Sequence, residues 1–293
     1  MRFVKGHGTG NDFVVLPDPD GLLDLSPQVV ARICARRTGL GADGILRVVR
    51  SAALGDALAP ESAGGTEWFM DYRNADGSIA EMCGNGVRVF ARYLLSTGLA
   101  TGPELAVATR AGVRLVRENP DGQLTVDMGP ARVTGTGSAG VGGRRCAGLA
   151  ISVGNPHLAC VVEDPVADFD LSRPPVLEPG QFPEGANVEI LRVTGERRVE
   201  MRVYERGSGV TLSCGTGAVA TAVAAAAAAG EWQSGAERTW TVDVPGGRLA
   251  VVPSATASLL TGPAVLVAAG ELDDAWLRGA ADVPGDQVAA ASV

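Results

Sequence analysis

The chain carries one short pattern twice, at residues 82–86 (Met-Cys-Gly-Asn-Gly) and at residues 213–217 (Ser-Cys-Gly-Thr-Gly). An apolar run follows each pattern, and the first run repeats its apolar residues at helical spacing. Each Cys-Gly-x-Gly therefore predicts the start of a helix with a cysteine in front of it. Two thiols presented in the same way indicate one site built from two facing halves.

The surroundings of the two patterns repeat as well. A Gly-Asn pair precedes an apolar strand in each half, at residues 10–11 and 154–155. A polar residue stands nine positions before each cysteine, Asn74 in the first half and Glu205 in the second. We therefore predict two pseudo-symmetric α/β (α+β) halves, with the site at the interface between them, where ligand sites commonly form.

The composition is that of a folded protein with an acidic surface. The 293 residues suffice for two domains of ordinary size, and 46% apolar with 20% charged residues is far from disorder. The net charge of -8 argues against a nucleic-acid partner, because binding to phosphates needs a basic face. The apolar run at residues 218–229 is too short to span a bilayer, and residues 1–16 lack a signal-peptide pattern. We expect a cytoplasmic protein with no membrane partner.

Cysteine and lysine usage narrows the chemistry. Five cysteines, without a Cys-x-x-Cys or a histidine pair at metal-ligand spacing, predict a reducing compartment and no metal site. Three of them, Cys34, Cys146 and Cys160, lack the glycine frame, and we assign them structural roles. Lys5 is the only lysine among 25 basic residues, and no phosphate-loop glycines precede it. Pyridoxal phosphate enzymes and P-loops both need a lysine, so we expect neither, and no cofactor.

Both Cys83 and Cys214 precede a predicted helix, where exposed backbone N–H groups and the helix dipole favour negative charge. A free thiol has a pKa near 8.5, and a helix N-terminus can lower that pKa to about 3.5–7.5, so we expect acidic thiols. The following glycines leave N–H groups open to a carboxylate. With an α-carbon between the two sulfurs, one thiolate would remove the α-proton and the other thiol would protonate the opposite face. The N–H donors would stabilise the enolate.

Other interpretations compete with this mechanism. A single cysteine at a helix start is usually a buried structural residue, and only the repetition favours catalysis. The simplest interpretation of His157 is a partly buried histidine whose ring nitrogens are hydrogen-bonded within the fold. It could instead serve Cys214 as the base of a Cys/His hydrolase. That alternative leaves Cys83 without a role. A dithiol redox protein is a further alternative. We predict instead that a Cys83–Cys214 disulfide would be a product of oxidative inactivation.

Polar side chains at predicted strand ends suggest how the rest of a ligand is held. Four asparagines border apolar strands: Asn11, Asn74, Asn155 and Asn187. Asparagine in a turn commonly serves the backbone, so each is weak evidence by itself. Arg206 can clamp a second carboxylate in bidentate fashion, and the neighbouring Glu205 can hold an ammonium. The ligand implied by this set carries carboxylate and ammonium groups at both ends.

In these residues and their spacing, the chain resembles the diaminopimelate epimerase family from residue 1 to about residue 270. The resemblance is carried by the segments 10–13, 41–44, 74–78, 82–86, 154–157, 187, 205–209 and 214–218. It implies cofactor-independent epimerisation of LL-diaminopimelate to meso-diaminopimelate, a step toward lysine and peptidoglycan precursors. The partner it implies is this small molecule, and a homodimer is compatible with it.

The resemblance also implies a role for each site residue. Cys83 and Cys214 would be the two acid/base residues. The reacting carboxylate would be held by Gly84, Asn85, Gly215 and Thr216. The distal centre would be recognised by Asn11, Asn74, Asn155, Asn187 and Arg206. Glu205 would bind the ammonium, with His157 close by as a supporting residue.

The family fold implied is two similar domains, each a mixed β-sheet curled around a central helix. We assign residues 1–128 with 263–275 to the half that carries Cys83, since the final strand should return to it. Residues 129–262 form the half that carries Cys214, and residues 276–293 form a tail compatible with disorder. Residues 52–65, rich in Ala, Gly and Pro, are expected to be a surface insertion.

Two features bear on the substrate. Some family members have a glutamine where this chain has Gly44. The contact of that glutamine with the distal part of the substrate is therefore not carried over to this chain. Proline or hydroxyproline racemases and epimerases share the fold and the paired thiols, but their first motif usually reads Cys-Gly-His-Gly, whereas this chain has Asn85. A proline site also has no need of Arg206, so we rank that alternative second and the Cys/His hydrolase third.

Overall fold

A computed structural model describes residues 1–54, 65–232, 235 and 237–279 of the chain. Most of the predicted insertion (residues 55–64) and most of the predicted tail (residues 280–293) lie outside the described residues. The first tail residues, 276–278, belong to a short helix.

The elements of the first half alternate strands with two helices. In chain order they are β1 (Arg2–Gly8), β2 (Asn11–Pro17), α1 (Pro27–Cys34), β3 (Gly44–Arg50), β4 (Trp68–Asn74), α2 (Gly84–Ser96), β5 (Glu104–Thr109), β6 (Gly112–Glu118) and β7 (Leu124–Asp127). Because residues 84 onward are helical, the first Cys-Gly-x-Gly begins a helix as predicted.

The second half follows, and the chain then continues into a last strand and helix. The elements are β8 (Arg132–Val141), β9 (Arg144–Ser152), β10 (Pro156–Val161), β11 (Val176–Leu177), β12 (Asn187–Gly195), β13 (Arg198–Glu205), β14 (Gly209–Thr211), α3 (Gly215–Ala228), β15 (Trp240–Val244), β16 (Gly247–Val252), β17 (Leu259–Gly262), β18 (Val265–Glu271) and α4 (Asp274–Arg278). The second Cys-Gly-x-Gly likewise begins a helix, as predicted.

The strand pairings repeat between the halves. Within the described residues, one series runs β18-β1-β2-β3-β4-β5-β6-β7 and the other runs β8-β9-β10-β12-β13-β15-β16-β17. In both series the pairings are antiparallel, antiparallel, parallel, antiparallel, parallel, antiparallel and antiparallel. The last strands of the two series, β7 and β17, pair with each other, with Val126 opposite Leu260. The prediction of two pseudo-symmetric α/β halves is confirmed.

Each half wraps its sheet around the helix that follows its Cys-Gly-x-Gly. α2 contacts β1, β2, β6, β7 and β18, and α3 contacts β10, β12, β13, β15 and β16. In both halves this helix lies in the connection between the strands of the second parallel pair, which needs a long crossover. α3 is apolar around its whole circumference because strands of its own half surround it. The two helices share one apolar core with the inner faces of both sheets.

The outer face of the first half is covered by α1 and α4. Ser26 caps α1, and its hydroxyl accepts a hydrogen bond from the N–H of Val29 at 3.3 Å. The helix ends at Cys34, because the chain then turns back and the N–H of Gly39 bonds to the carbonyl of Ala35 at 2.9 Å. In α4, the ring of Trp276 lies 4.6 Å from the guanidinium of Arg32.

β18 pairs with β1 along its length, with Arg2 opposite Glu271. The proposed residue boundaries of the two domains stay a prediction.

Among the described residues, the helices are too short or too polar for any of them to cross a membrane.

Candidate active site

Each of the two predicted catalytic cysteines is the N-cap of a long helix. Cys83 has an extended backbone, and its Sγ accepts a hydrogen bond from the N–H of Gly86 at 3.5 Å. Cys214 has the same conformation, and its Sγ accepts from the N–H of Gly217 at 3.3 Å. A sulfur thus takes the place of the oxygen in an ordinary Ser or Asp cap. Both cysteines are free thiols.

The starts of the two helices touch each other. A Cβ added to Gly215 would lie 3.2 Å from the Cα of Gly84 and 3.4 Å from its nitrogen. A side chain at Gly215 would therefore crowd the backbone of Gly84, whereas a Cβ added to Gly84 would meet the side chain of Met128 at 2.8 Å. The first turn of a helix leaves its leading N–H groups without intrahelical partners. The orphan donors of α2 and α3 therefore lie side by side, and they belong to Gly84, Asn85, Gly215 and Thr216.

Side-chain hydrogen bonds join the two halves just behind these helix starts. The hydroxyl of Thr9 donates to Ser213 Oγ at 2.7 Å, and Asn85 Nδ2 donates to the carbonyl of Ser213 at 3.1 Å. Thr9 has a φ of 49°, a costly conformation for a β-branched residue. The side chain of Asn85 is fully buried. The side-chain amide of Asn85 therefore bonds across the junction between the halves. The backbone N–H of Asn85 is the group that is left to bind a ligand at the start of α2.

Asn11 lies against Cys83. Its Oδ1 is 3.5 Å from Cys83 Sγ, and its Nδ2 donates to Asp43 Oδ2 at 2.7 Å. The carboxylate of Asp43 fixes the orientation of the amide, so that the oxygen faces the thiol. The resemblance assigned Asn11 to the distal centre of the ligand, and in the structure Asn11 lies beside the thiol of Cys83.

Acidic residues surround Cys214. The carboxylate of Glu205 faces its thiol and also accepts a hydrogen bond from the hydroxyl of Thr211. Glu189 is fully buried, and a Cβ added to Gly217 would lie 2.7 Å from its Oε1. Its other oxygen, Oε2, has no hydrogen-bond partner among the residues that the structure describes. The electrostatic potential at Cys214 is therefore more negative than the potential at Cys83.

A buried chain of polar groups continues from Glu189. His157 Nδ1 lies 2.7 Å from Glu189 Oε1, and His157 Nε2 lies 3.0 Å from Asn155 Oδ1. Asn155 Nδ2 donates to the hydroxyl of Thr216 at 3.3 Å. His157 reaches the start of α3 through Asn155, and its ring makes no direct hydrogen bond with Cys214.

The direction of the thiol pKa shifts differs from the sequence expectation. Burial raises the pKa of Cys83 to about 11, and the N–H of Gly86 only partly opposes this rise. Burial raises the pKa of Cys214 well above its ordinary value, and the charges of Glu205 and Glu189 add to the rise. The expectation of acidic thiols was wrong, because loss of solvent and nearby carboxylates outweigh the helix N–H donors.

The hydrogen bonds of Asn74, Asn187 and Arg206 join them to neighbours other than the two thiols and the two helix starts. Asn187 Oδ1 accepts a hydrogen bond from the backbone N–H of Arg206 at 2.8 Å. The guanidinium of Arg206 is exposed and donates to the carbonyl of Glu184 at 3.0 Å. Asn74 is half-buried at the end of β4, and its Nδ2 donates to Ser78 Oγ at 2.9 Å. Gly44 lies directly opposite Asn74 in the β3–β4 pair.

Comparison with known proteins decides the family. The family model described as Diaminopimelate epimerase matches residues 3–134 and 149–267. This chain belongs to the diaminopimelate epimerase family. The diaminopimelate epimerase of Thermobifida fusca is 58% identical over 280 residues, covering 95% of this chain and 100% of the relative. That of Streptomyces coelicolor is 52% identical over 284 residues, covering 95% of this chain and 98% of the relative.

Solved structures of more distant proteins share the fold. A phenazine biosynthesis protein of the PhzF family from Bacillus anthracis has a TM-score of 0.69 at 16% identity, covering 93% of this chain and 99% of its own. A probable proline racemase from Agrobacterium radiobacter has a TM-score of 0.64 at 14% identity, covering 93% and 92%. At these identities, the two structures show that the fold is shared and carry no conclusion about function.

Sequence reasoning missed three residues of this diaminopimelate epimerase family site. Burial raises the pKa of Tyr72 well above its ordinary value, and the negative charges of Cys83, Glu205, Asp43 and Cys214 add to the rise. Glu189 and Arg88 are the other two. A charged residue inside an apolar strand or on an apolar helix face is the signal that could have found them, because such residues are rarely buried without a purpose.

Proposed function

We propose that this protein interconverts LL-diaminopimelate and meso-diaminopimelate without a cofactor, with Cys83 and Cys214 as its two acid/base residues. The observation that carries the proposal is the pair of cysteine-capped helices whose first turns touch. Membership of the diaminopimelate epimerase family, together with close relatives of that name, supports the substrate.

The reacting carboxylate binds at the junction of the two helices. The N–H groups of Gly84, Asn85, Gly215 and Thr216 converge there, and the positive ends of two helix dipoles reinforce them. Negative charge moves onto the carboxylate oxygens when the α-proton leaves. The same donors therefore bind the intermediate more strongly than the substrate, which accelerates the reaction.

The proton steps use the two thiols on opposite faces of the α-carbon. The thiolate of one cysteine removes the α-proton, and the thiol of the other delivers a proton to the opposite face. The reverse reaction exchanges these roles. The raised pKa of Cys83, about 11, makes its thiolate a stronger base than an exposed thiolate. A stronger base lowers the barrier for removing a weakly acidic α-proton.

Recognition of the distal amino-acid group falls to polar residues outside the helix junction. Arg206 offers an exposed guanidinium for the second carboxylate, and Asn187 holds its backbone in place. Asn74 and Asn155 offer further amides nearby. Glu205 supplies a carboxylate for an ammonium group, with the hydroxyl of Thr211 bonded to it.

The cellular setting follows from the reaction. The product is a precursor of lysine and peptidoglycan, so we place the protein in the cytoplasm among biosynthetic enzymes. Its partner is a small molecule, and the net charge of -8 disfavours nucleic acid. Assembly into a homodimer is compatible with the proposal and is tested by light scattering or sedimentation.

The decisive experiment is incubation of the reduced protein with LL-diaminopimelate in D₂O, following α-deuterium and the diastereomer ratio together. Appearance of the meso isomer with one α-deuterium, without added cofactor, is the expected result. Cys83→Ser and Cys214→Ser should keep the circular dichroism spectrum of the parent and lose turnover, because serine is too weak an acid. Absence of exchange with both thiols free would overturn the substrate, and proline and hydroxyproline would then be assayed.

A further inference from the structure

Asp43 is a charged residue that reaches the site only through a neighbouring side chain. It stands directly before β3. One carboxylate oxygen, Oδ2, accepts hydrogen bonds from Asn11 Nδ2 at 2.7 Å and from the backbone N–H of Asp12 at 3.2 Å. The other oxygen, Oδ1, accepts from the guanidinium of Arg36 at 2.6 Å. Arg36 therefore holds the carboxylate in place while Asn11 bonds to it.

The orientation of the Asn11 amide follows from the chemistry of its partners. A carboxylate can only accept hydrogen bonds, so the Nδ2 side of the amide has to face Asp43. From the opposite side, Asn85 Nδ2 donates to Asn11 Oδ1 at 3.3 Å. The guanidinium of Arg88 can only donate, and it fixes Asn85 in turn through a bond to Asn85 Oδ1 at 2.8 Å. A carboxylate at one end and a guanidinium at the other thus leave one arrangement for both amides.

This arrangement turns the carbonyl oxygen of Asn11 toward the thiol of Cys83. The thiol donates to Asn11 Oδ1 at 3.5 Å, while its sulfur accepts from the N–H of Gly86, also at 3.5 Å. The two bonds together fix the position of the sulfur and the direction of its hydrogen. Because the carbonyl oxygen carries partial negative charge, the bond favours the protonated thiol over the thiolate.

The equivalent asparagine of the second half is turned the other way. Asn155 precedes β10 as Asn11 begins β2, and its Nδ2 donates to the hydroxyl of Thr216 at 3.3 Å. That hydroxyl, in place of an amide carbonyl, lies 3.5 Å from Cys214 Sγ. The carbonyl beside the first thiol therefore follows from Asp43 and not from the pseudo-symmetry of the halves.

We propose that Asp43 is a positioning residue of the two-thiol reaction, which acts through Asn11 to fix the sulfur of Cys83 and the direction of its S–H group. When Cys83 is the acid, its proton leaves the bond to Asn11 and passes to the α-carbon, and the sulfur keeps the electron pair as a thiolate. When Cys83 is the base, the thiolate takes the α-proton, the C–H electron pair stays on the substrate, and the new S–H group regains that bond. This assignment rests on the proposed two-thiol function and adds a residue that acts without touching the ligand.

The test is infrared spectroscopy of the unliganded protein at neutral pH, because the S–H stretch absorbs where few other protein groups do. The difference between each protein and the same protein with Cys83→Ser isolates the band of Cys83. In the parent this band should lie at lower frequency than in Asn11→Ala, because a hydrogen bond to the amide oxygen weakens the S–H bond. Equal frequencies would overturn the proposal without any change at Asp43.

Asp43→Asn tests the carboxylate itself. Arg36 should keep the oxygen of the new amide, because a guanidinium can only donate, so the new NH₂ group faces Asn11. Asn11 then has to turn its Oδ1 toward position 43 and its Nδ2 toward the thiol. The Cys83 band should move to the frequency found in Asn11→Ala, and a band that stays at the parent frequency would remove Asp43 from the role. We expect kcat to fall about tenfold, as for one lost neutral hydrogen bond, with KM within about twofold of the parent.

Two further variants separate positioning from loss of charge, provided that each keeps the circular dichroism spectrum of the parent. Asp12→Asn removes a carboxylate that bonds to the same Arg36 at 2.8 Å, and the band and kcat should keep their parent values. The double change Asn11→Asp with Asp43→Asn exchanges the two groups, keeps the net charge and returns a carboxylate oxygen to Cys83, so the lower frequency should return. An equal shift in Asp12→Asn, with no return in the double variant, would reduce Asp43 to a structural charge.

The outcomes separate this proposal from the proposed function. If the parent protein epimerises LL-diaminopimelate while the Cys83 band does not respond to Asp43→Asn, the positioning role is wrong and the function stands. If the parent protein is inactive on diaminopimelate, the infrared experiment still tests Asp43 by itself, since it needs no substrate.

Discussion

Replacing Glu205 by Gln should make the thiols more reactive and the enzyme less active. The carboxylate faces Cys214, and after burial its charge is the largest cause of the raised pKa of that thiol. It also raises the pKa of Cys83, after the effects of burial and of the Gly86 N–H. Glutamine keeps the size of the side chain and a hydrogen-bonding oxygen but removes the negative charge.

The magnitude follows from Coulomb's law. At a separation of about 5 Å and an effective dielectric constant of about 20, one charge changes the energy of another by about 3 kcal/mol, or roughly two pKa units. The thiolate is the anionic form, so loss of the carboxylate lowers the thiol pKa. We expect a fall of about two units at Cys214 and about one unit at Cys83, which has Glu205 as a weaker influence.

The assay is alkylation of the unliganded Glu205→Gln variant by iodoacetamide at fixed pH 8, with each cysteine quantified by peptide mass spectrometry. Below the thiol pKa, each unit of decrease raises the thiolate fraction about tenfold. Turnover should change in the opposite sense, because a charged hydrogen bond to the substrate ammonium is lost. A loss of about 2 kcal/mol corresponds to a fall in kcat/KM of roughly thirtyfold.

Unfolding would also expose the thiols, speed their alkylation and abolish turnover, so the variant must keep the circular dichroism spectrum and the Tm of the parent for the two readouts to be interpreted. Alkylation midpoints that stay in place or move to higher pH would refute the electrostatic role of Glu205. Faster alkylation with unchanged kcat/KM would refute its role in binding the ammonium. Glu184→Gln offers a matched control for alkylation, since Glu184 is an exposed glutamate whose carboxylate lies 4.0 Å from Arg206.

Three further changes test the junction, the distal end and the scaffold. Gly215→Ala introduces a Cβ 3.2 Å from the Cα of Gly84, so the helix starts should move apart and kcat/KM should fall about tenfold; steady-state kinetics at an unchanged Tm would establish this. Arg206→Met should reduce kcat/KM for diaminopimelate far more than for an analogue without the distal carboxylate, and equal losses would remove it from substrate selection. Ser26→Ala removes the cap bond to Val29 and should lower the free energy of unfolding by about 1 kcal/mol in a denaturant titration. Its kcat should stay at the parent value, and a loss of activity without loss of stability would contradict a purely structural cap.

The sequence alone predicted those elements whose start or end is set by residues adjacent in the chain. The Cys-Gly-x-Gly patterns predicted the starts of α2 and α3, since a polarisable N-cap followed by glycines and an apolar run is a property of neighbouring residues. The repetition of that pattern predicted two similar halves, and the strand pairings bear this out. The motif set as a whole was specific enough for the diaminopimelate epimerase family.

The environment of Asn11 and Asn85 was not predictable in the same way. Asn11 was expected at the distal centre of the ligand and Asn85 at the reacting carboxylate, but the hydrogen bond from Asn11 to Asp43 and the burial of the Asn85 side chain between the halves were not predicted. Their partners lie at positions remote in sequence, and a hydrogen bond between remote residues depends on the packing of whole elements. A pattern in the chain does not record which donor meets which acceptor.

The chain alone thus determined where the two thiols stand and which helices they cap, because capping is a local interaction. Tertiary structure decided how acidic those thiols are. Burial removes solvent from both sulfurs, and the fold brings the carboxylates of Glu205 and Glu189 to Cys214. A pKa reflects every charge and every lost water molecule within several ångströms, whatever their order in the sequence, and only the folded chain assembles them.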